Sequence, residues 1–149
     1  MSINFPTKTG TIFILRGLPG IGKTTLAEVI RLIHKDTQVL SSDDFFYDPV
    51  TKTHSFDKER IQEAHKWNFD RYKKAIEMKT PVIIVDNSNV KKFHYHHYLD
   101  YGQRHDYLVS VVLIPHNDTF DRELTERNTH GVSRDTIRRM RKEFEFDIG

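Results

Sequence analysis

No cysteine occurs in the sequence. That excludes a disulfide framework and any thiolate metal site, and it fits a reducing compartment. No apolar run approaches the roughly 20 residues that cross a bilayer. The first residues, Met1-Ser2-Ile3-Asn4-Phe5-Pro6, hold no signal-peptide core, and Ser2 stands where a myristoylation site requires glycine. These absences lead us to expect a cytoplasmic protein that does not engage membranes. Net charge is also scarce, +2 over 149 residues, so whole-molecule charge names no partner. The length fits a single domain, 1–149, with room for a buried core. What charge there is lies unevenly. Between Arg134 and Lys142 five basic residues face one acid, Asp135, a pattern that is either a solvated helix face or one suited to polyanions.

The most informative segment is Gly17-Leu18-Pro19-Gly20-Ile21-Gly22-Lys23-Thr24, preceded by the apolar run Thr11-Ile12-Phe13-Ile14-Leu15. It fills G-x-x-x-x-G-K-[ST] between a strand pattern and a helix pattern. Gly17, Gly20 and Gly22 let the backbone turn several N–H groups onto one phosphate, with Pro19, Ile21 and Thr25 in the same wrap. The helix that follows aims its positive end at that point. Lys23 is the expected cation for the outer phosphates and Thr24 an expected Mg²⁺ ligand. The segment predicts a nucleoside triphosphate site.

Strand and helix patterns alternate, which argues for an α/β fold: a mostly parallel sheet with helices on both faces. Strands are predicted at Thr11–Leu15, Gln38–Ser42, Pro81–Asp86 and Tyr107–Ile114. The apolar run at 82–85 indicates burial on both faces. Helices are predicted at about 24–34, with Leu26, Val29, Ile30 and Ile33 on one face, from Asp57 as a cap, and at about 91–103, 117–128 and 133–144. Residues 45–56 read as a loop. Thr129-His130-Gly131-Val132, bracketed by arginines, reads as a lid. Ligands in such sheets sit beyond the carboxyl ends of the strands, where this motif, Asp43-Asp44 and Asp86 should converge.

Phosphoryl transfer needs Mg²⁺, charge neutralisation and a group that orients or deprotonates the nucleophile. Asp43 is the preferred base, and Asp44 is structural or metal-linked. Asp86 is the expected Mg²⁺ partner of Thr24. The residues after it, Asn87-Ser88-Asn89, include no glutamate to activate water, which favours a kinase over a hydrolytic motor. Among Arg122, Arg127, Arg134 and Arg138, Arg127 is preferred as the arginine that reaches the transferring phosphate. Asp44, Phe46, Asn87 and Asn89 are candidates for the acceptor side. His94, His96 and His97 do not share a helix face as metal ligands would, and read as surface or substrate-contact residues. Phe45, Phe46, Tyr47 and Trp67 either pack under the loop or stack on a base.

In order, Gly-Leu-Pro-Gly-Ile-Gly-Lys-Thr, Ser42-Asp43-Asp44-Phe45-Phe46, Asp86-Asn87-Ser88-Asn89 and Arg127-Asn128 resemble the kinase domain of the phage polynucleotide 5′-hydroxyl kinase. They are closer still to the P-loop domain of certain animal ubiquitin-ligase-binding proteins, through Glu63-Ala64-His65-Lys66-Trp67-Asn68 and Arg127-Asn128-Thr129-His130-Gly131-Val132-Ser133. The P-loop segment of the myelin cyclic-nucleotide phosphodiesterase is a further relative. The resemblance covers residues 11–146. It implies a three-layer α/β/α P-loop fold with a helical, arginine-bearing lid, Asp43 as the base for a 5′-hydroxyl, and Arg127 on the phosphates of ATP. Two positions depart from the phage pattern. Phe46 stands where that enzyme has an arginine for the acceptor phosphate, and His130 lies near the place of a second lid arginine.

Three readings follow. One is an ATP- and Mg²⁺-dependent kinase acting on the 5′-hydroxyl end of RNA or DNA. The others are a nucleoside or other small-molecule kinase, and a nucleotide-binding adaptor or slow ATPase.

Overall fold

The computed structural model describes residues 7–115, 121–128 and 131–146. In chain order these form β1 (Gly10–Arg16), α1 (Lys23–Ile33), β2 (Thr37–Leu40), a 3-10 turn (Ser42–Phe46), β3 (Tyr47–Asp48) and β4 (Thr53–His54). A second 3-10 turn (Lys58–Arg60) follows, then α2 (Ile61–Glu77), β5 (Val82–Asp86), α3 (Lys92–Arg104), β6 (Tyr107–Leu113), α4 (Asp121–Arg127) and α5 (Arg134–Glu143). The main sheet is parallel throughout, in the order β2-β5-β1-β6. Its register sets Leu15 beside Asp86 and Leu40 beside Val85. The loops after β1, β2 and β5 therefore leave from one edge.

Strand alternation divides the core between the two faces. Ile12, Ile14, Ile83 and Val85 pack with Tyr72, Ala75, Ile76, Tyr95 and Tyr98 of α2 and α3. Leu15, Val82 and Ile84 pack with Ala27 of α1. A third cluster, Leu18, Val90, Leu124, Ile137 and Phe144, seats α4 and α5 at the carboxyl end of the sheet. No helix among the described residues is long and apolar enough to cross a membrane.

Two expectations are corrected. Residues 45–56 are not an open loop. The Ser41 side chain accepts the Asp43 N–H and starts the 3-10 turn, and β3 and β4 pair as a short hairpin. The buried face of α1 is Lys23 and Ala27, flanked by Leu26 and Ile30. Val29 and Ile33 are exposed, at 47% and 69%, because the face of α1 that meets the sheet runs through Lys23, Leu26, Ala27 and Ile30. Asp57 does cap, but it caps the 3-10 turn that leads into α2.

Arg16, the last residue of β1, is 1% exposed. Its guanidinium donates to the carbonyl oxygens of Asn89 (2.8 Å), Val90 (3.0 Å) and Glu145. It lies 4.6 Å from the Tyr95 ring centre and 4.7 Å from that of Phe144. Replacing Arg16 with Met strands these buried acceptors, so urea unfolding should show a loss of about 3 kcal/mol or more. Arg16→Lys should recover little of it, since an ammonium lacks the planar fork that reaches three acceptors while stacking on two rings.

Candidate active site

The glycine-rich segment follows β1 directly. Gly20 and Gly22 have φ of 82° and 115°, values that side chains strongly disfavour. A Cβ on Gly20 would also sit 2.5 Å from the Leu124 carbonyl oxygen, so the loop and the end of α4 meet with no room to spare. The Gly17 N–H is anchored on the Ser88 carbonyl at 3.0 Å. Pro19 is buried, and Ile21 packs on the cluster around Leu124. No side chain caps the start of α1 and no acid lies in its first turn, so its leading N–H groups and dipole are available to an anion.

Lys23 is 8% exposed and donates to the carbonyls of Gly17 (2.8 Å) and Leu18 (3.0 Å). Burial pushes its pKa down to about 8, against the opposing charges of Asp86 and Asp43. The neighbouring Thr24 hydroxyl donates to Asp86 Oδ2 at 3.3 Å, while Thr25 is exposed. A hydroxyl and a carboxylate side by side, at the mouth of a cationic loop, are a donor set suited to Mg²⁺ on a polyphosphate.

Asp43 lies half-buried in the turn after β2, close enough for its charge to act on both Lys23 and His65. Asp44 is exposed and pairs with Arg71 at 3.4 Å. Beneath them runs a polar network that the sequence did not disclose. The Ser42 N–H donates to Asn87 Oδ1 (2.9 Å), Ser42 Oγ meets His65 Nδ1 (2.8 Å), and Asn68 Nδ2 donates to the Tyr98 hydroxyl (3.0 Å). Asn68 Oδ1 is buried with no hydrogen-bond partner among the described residues. Burial holds the His65 imidazole below its ordinary pKa, despite Asp43. Of its members only Asn87 carried a role in the sequence reading, while His65 and Asn68 stood there only within the segment Glu63–Asn68 that bears the resemblance.

Two of the acceptor-side candidates are turned inward. Asn89 is 4% exposed with φ 51°, and its Nδ2 donates to the Leu15 carbonyl at 2.8 Å, so it fastens the loop to β1. Phe46 is 8% exposed and packs edge-on against Phe45 and Phe56. Neither presents a polar atom or ring face to a substrate.

Arg127 ends α4, exposed, one turn from the Leu124 carbonyl that abuts Gly20. Asn128 clasps the next segment: its Nδ2 donates to the carbonyls of Thr125 (2.7 Å) and Val132 (3.0 Å), and its Oδ1 accepts the Val132 N–H (2.9 Å). Arg134 and Arg138 lie exposed on α5. Thr129, His130 and the Arg122 side chain lie outside the described residues. His94 accepts the Lys91 N–H at the start of α3. Among the described residues no cluster of histidine and carboxylate has the geometry of a metal site.

Known proteins resemble this chain in sequence and in fold. The model of the AAA domain family matches residues 12–146. Human NEDD4-binding protein 2 is 38% identical over 138 residues, covering 90% of this chain but 8% of that protein. The 2′,3′-cyclic-nucleotide 3′-phosphodiesterase of Mus musculus is 27% identical over 140 residues, 93% of this chain and 32% of the enzyme. The chain thus spans less than a third of the length of these relatives. A chain of the Pnkp1/Rnl/Hen1 RNA repair complex superposes with a TM-score of 0.71 at 18% identity, covering 94% of this chain and 45% of that one. At that identity the likeness shows the fold alone, a parallel sheet packed between helices.

Two outcomes are expected. A bound phosphate keeps Lys23 charged, so nucleotide binding takes up a proton where the free protein has lost it. Metal-free ADP affinity, measured calorimetrically, should be flat below pH 8 and fall by up to tenfold per unit above it, with proton uptake visible across buffers. Asn128→Ala leaves the Val132 N–H unpaired and should cost about 1–3 kcal/mol in thermal unfolding.

Proposed function

The chain belongs to the AAA domain family, and from that membership we propose that it is an ATP- and Mg²⁺-dependent kinase for the 5′-hydroxyl end of a polynucleotide. Residues 1–149 act in this reading as one kinase domain, in the cytoplasm. The observation that carries it is the position of Asp43 in the turn after β2, at the sheet edge where the loops after β1 and β5 also leave, near enough for its charge to act on Lys23. No glutamate follows Asp86 to activate water. A carboxylate there has an acceptor hydroxyl, not a water, as its natural client.

In the proposed step the 5′-hydroxyl oxygen bonds to the γ-phosphorus, the bond to the β–γ bridging oxygen breaks, ADP leaves, and the hydroxyl proton passes to Asp43. Gly17, Pro19, Gly20, Ile21, Gly22 and Thr25 wrap the phosphates, Lys23 leaves the loop carbonyls for the outer ones, and Arg127 reaches the transferring group from the lid. Thr24 and Asp86 would hold the Mg²⁺, whose contribution there would be neutralisation of phosphate charge. Asn87 and Asp44 support the acceptor side, and His65, neutral and bonded to Ser42, holds the turn that carries Asp43. The similarity to part of a phosphodiesterase of cyclic nucleotides and the fold shared with a chain of an RNA repair complex support a nucleic-acid acceptor. One observation favours a small-molecule acceptor instead: Phe46 leaves no cation at its own position for an acceptor phosphate.

The test is transfer of labelled γ-phosphate to 5′-hydroxyl RNA, its DNA counterpart and free nucleosides. Label on an oligomer is expected, with kcat lowered about 10²-fold or more by Asp43→Asn while ATP affinity stays nearly constant. Lys23→Ala should cost on the order of 10³-fold. Label on nucleosides alone selects the small-molecule reading. Free phosphate released equally by wild type and Asp43→Asn, with no labelled acceptor, overturns both and leaves an adaptor or slow ATPase.

A further inference from the structure

One face of α2 carries Trp67, Arg71 and Lys74 at i, i+4 and i+7, which is a single stripe along a helix. Phe45, two residues from Asp43, joins it from the 3-10 turn. The Arg60 guanidinium lies 4.7 Å over the Phe45 ring, and that of Arg71 lies 4.2 Å over Trp67. The two rings meet edge-on at 5.6 Å. The result is a continuous ladder of cation, ring, ring, cation. Carboxylates hold both ends in place: Glu63 binds Arg60 at 3.0 Å, and Asp44 binds Arg71 at 3.4 Å. They hold each guanidinium over its ring, and both arginine side chains keep part of their surface exposed. Past Arg71 the stripe runs to Lys74, exposed and in no ion pair among the described residues. There Lys74, Arg31 and Arg71 line a cleft of about 400 Å³ against the edge strand β2.

Packing alone does not account for this arrangement. The two rings and their cations are at least partly exposed, they form a line, and Phe45 in that line stands two residues from the proposed base. Aromatic and guanidinium planes accept any base by stacking, and cations spaced between them take phosphates. We infer that this stripe holds the single strand that trails the phosphorylated end, with bases against the Phe45–Trp67 ladder and phosphates on Arg71, Lys74 and Arg31. The inference takes its direction from the kinase reading. It makes Arg71 the acceptor-side cation that position 46 lacks.

Trp67 is the only tryptophan in the chain, so its fluorescence reports this surface alone. Titration with a single-stranded 5′-hydroxyl oligonucleotide, without ATP, should quench it. Lys74→Glu, an exposed change that leaves the core intact, should weaken that binding and flatten its dependence on salt by roughly 0.7 in the log–log slope. In the transfer assay, Trp67→Leu should lower the kcat/KM ratio of oligonucleotide over nucleoside 3′-monophosphate about tenfold. An unquenched Trp67, or transfer to oligonucleotides whose ratio neither variant moves, overturns the surface while leaving the kinase standing. Quenching with the predicted salt response but no transfer sustains the surface and removes the kinase reading.

Discussion

The site depends on a buried arginine that touches no substrate. Arg16 closes β1 and joins two distant stretches of backbone, Asn89-Val90 and Glu145, the farther one 129 residues along the chain. Because its guanidinium is sandwiched between Tyr95 and Phe144, neither of those stretches can shift without opening a charged void. Alongside it, the Gly17 N–H is bonded to the Ser88 carbonyl and the Asn89 side chain to the Leu15 carbonyl. The phosphate loop and the segment after Asp86 are thereby riveted together. The 3.3 Å spacing between Thr24 and Asp86 follows from that joint.

Much of this was legible in the sequence, for a definite reason in each case. The phosphate loop was legible because its backbone needs positive φ at Gly20 and Gly22, and glycine alone supplies that without strain. The strands were legible because a central parallel strand is apolar on both faces, as 82–85 are. What was not legible depends on partners distant in sequence. Nothing near Arg16 announces that its acceptors lie beyond residue 88. Phe46 and Asn89 occupy positions next to functional ones, and only the fold turns them inward. Val29 and Ile33 keep helical spacing with the apolar face, yet the axis of α1 is set by Ala27 and Lys23 and leaves them in solvent. The turn at Ser42–Phe46 was hidden for a local reason, since a single Ser41 side-chain bond and a two-residue hairpin outweigh the loop-like composition around Pro49.

The lid has the same tight construction. Leu124 and Ile137 are fully buried on Leu18, so α4 and α5 share a core with the phosphate loop and are not a separate flap. The backbone of Gly20 runs against the Leu124 carbonyl, one turn before Arg127, so the glycine-rich loop and the end of α4 are packed as one piece. The part built on β2, the 3-10 turn and α2 rests on the α2–α3 face of the same sheet, through Ile12, Ile14, Ile83 and Val85, and is tied to the segment after Asp86 by the bond from the Ser42 N–H to Asn87.

Lys23 donates its hydrogen bonds to the carbonyls of Gly17 and Leu18. The ammonium is thereby held against its own loop, and drawing it outward exchanges two bonds from a charged donor, at a cost on the order of 3 kcal/mol that the group drawing it must return.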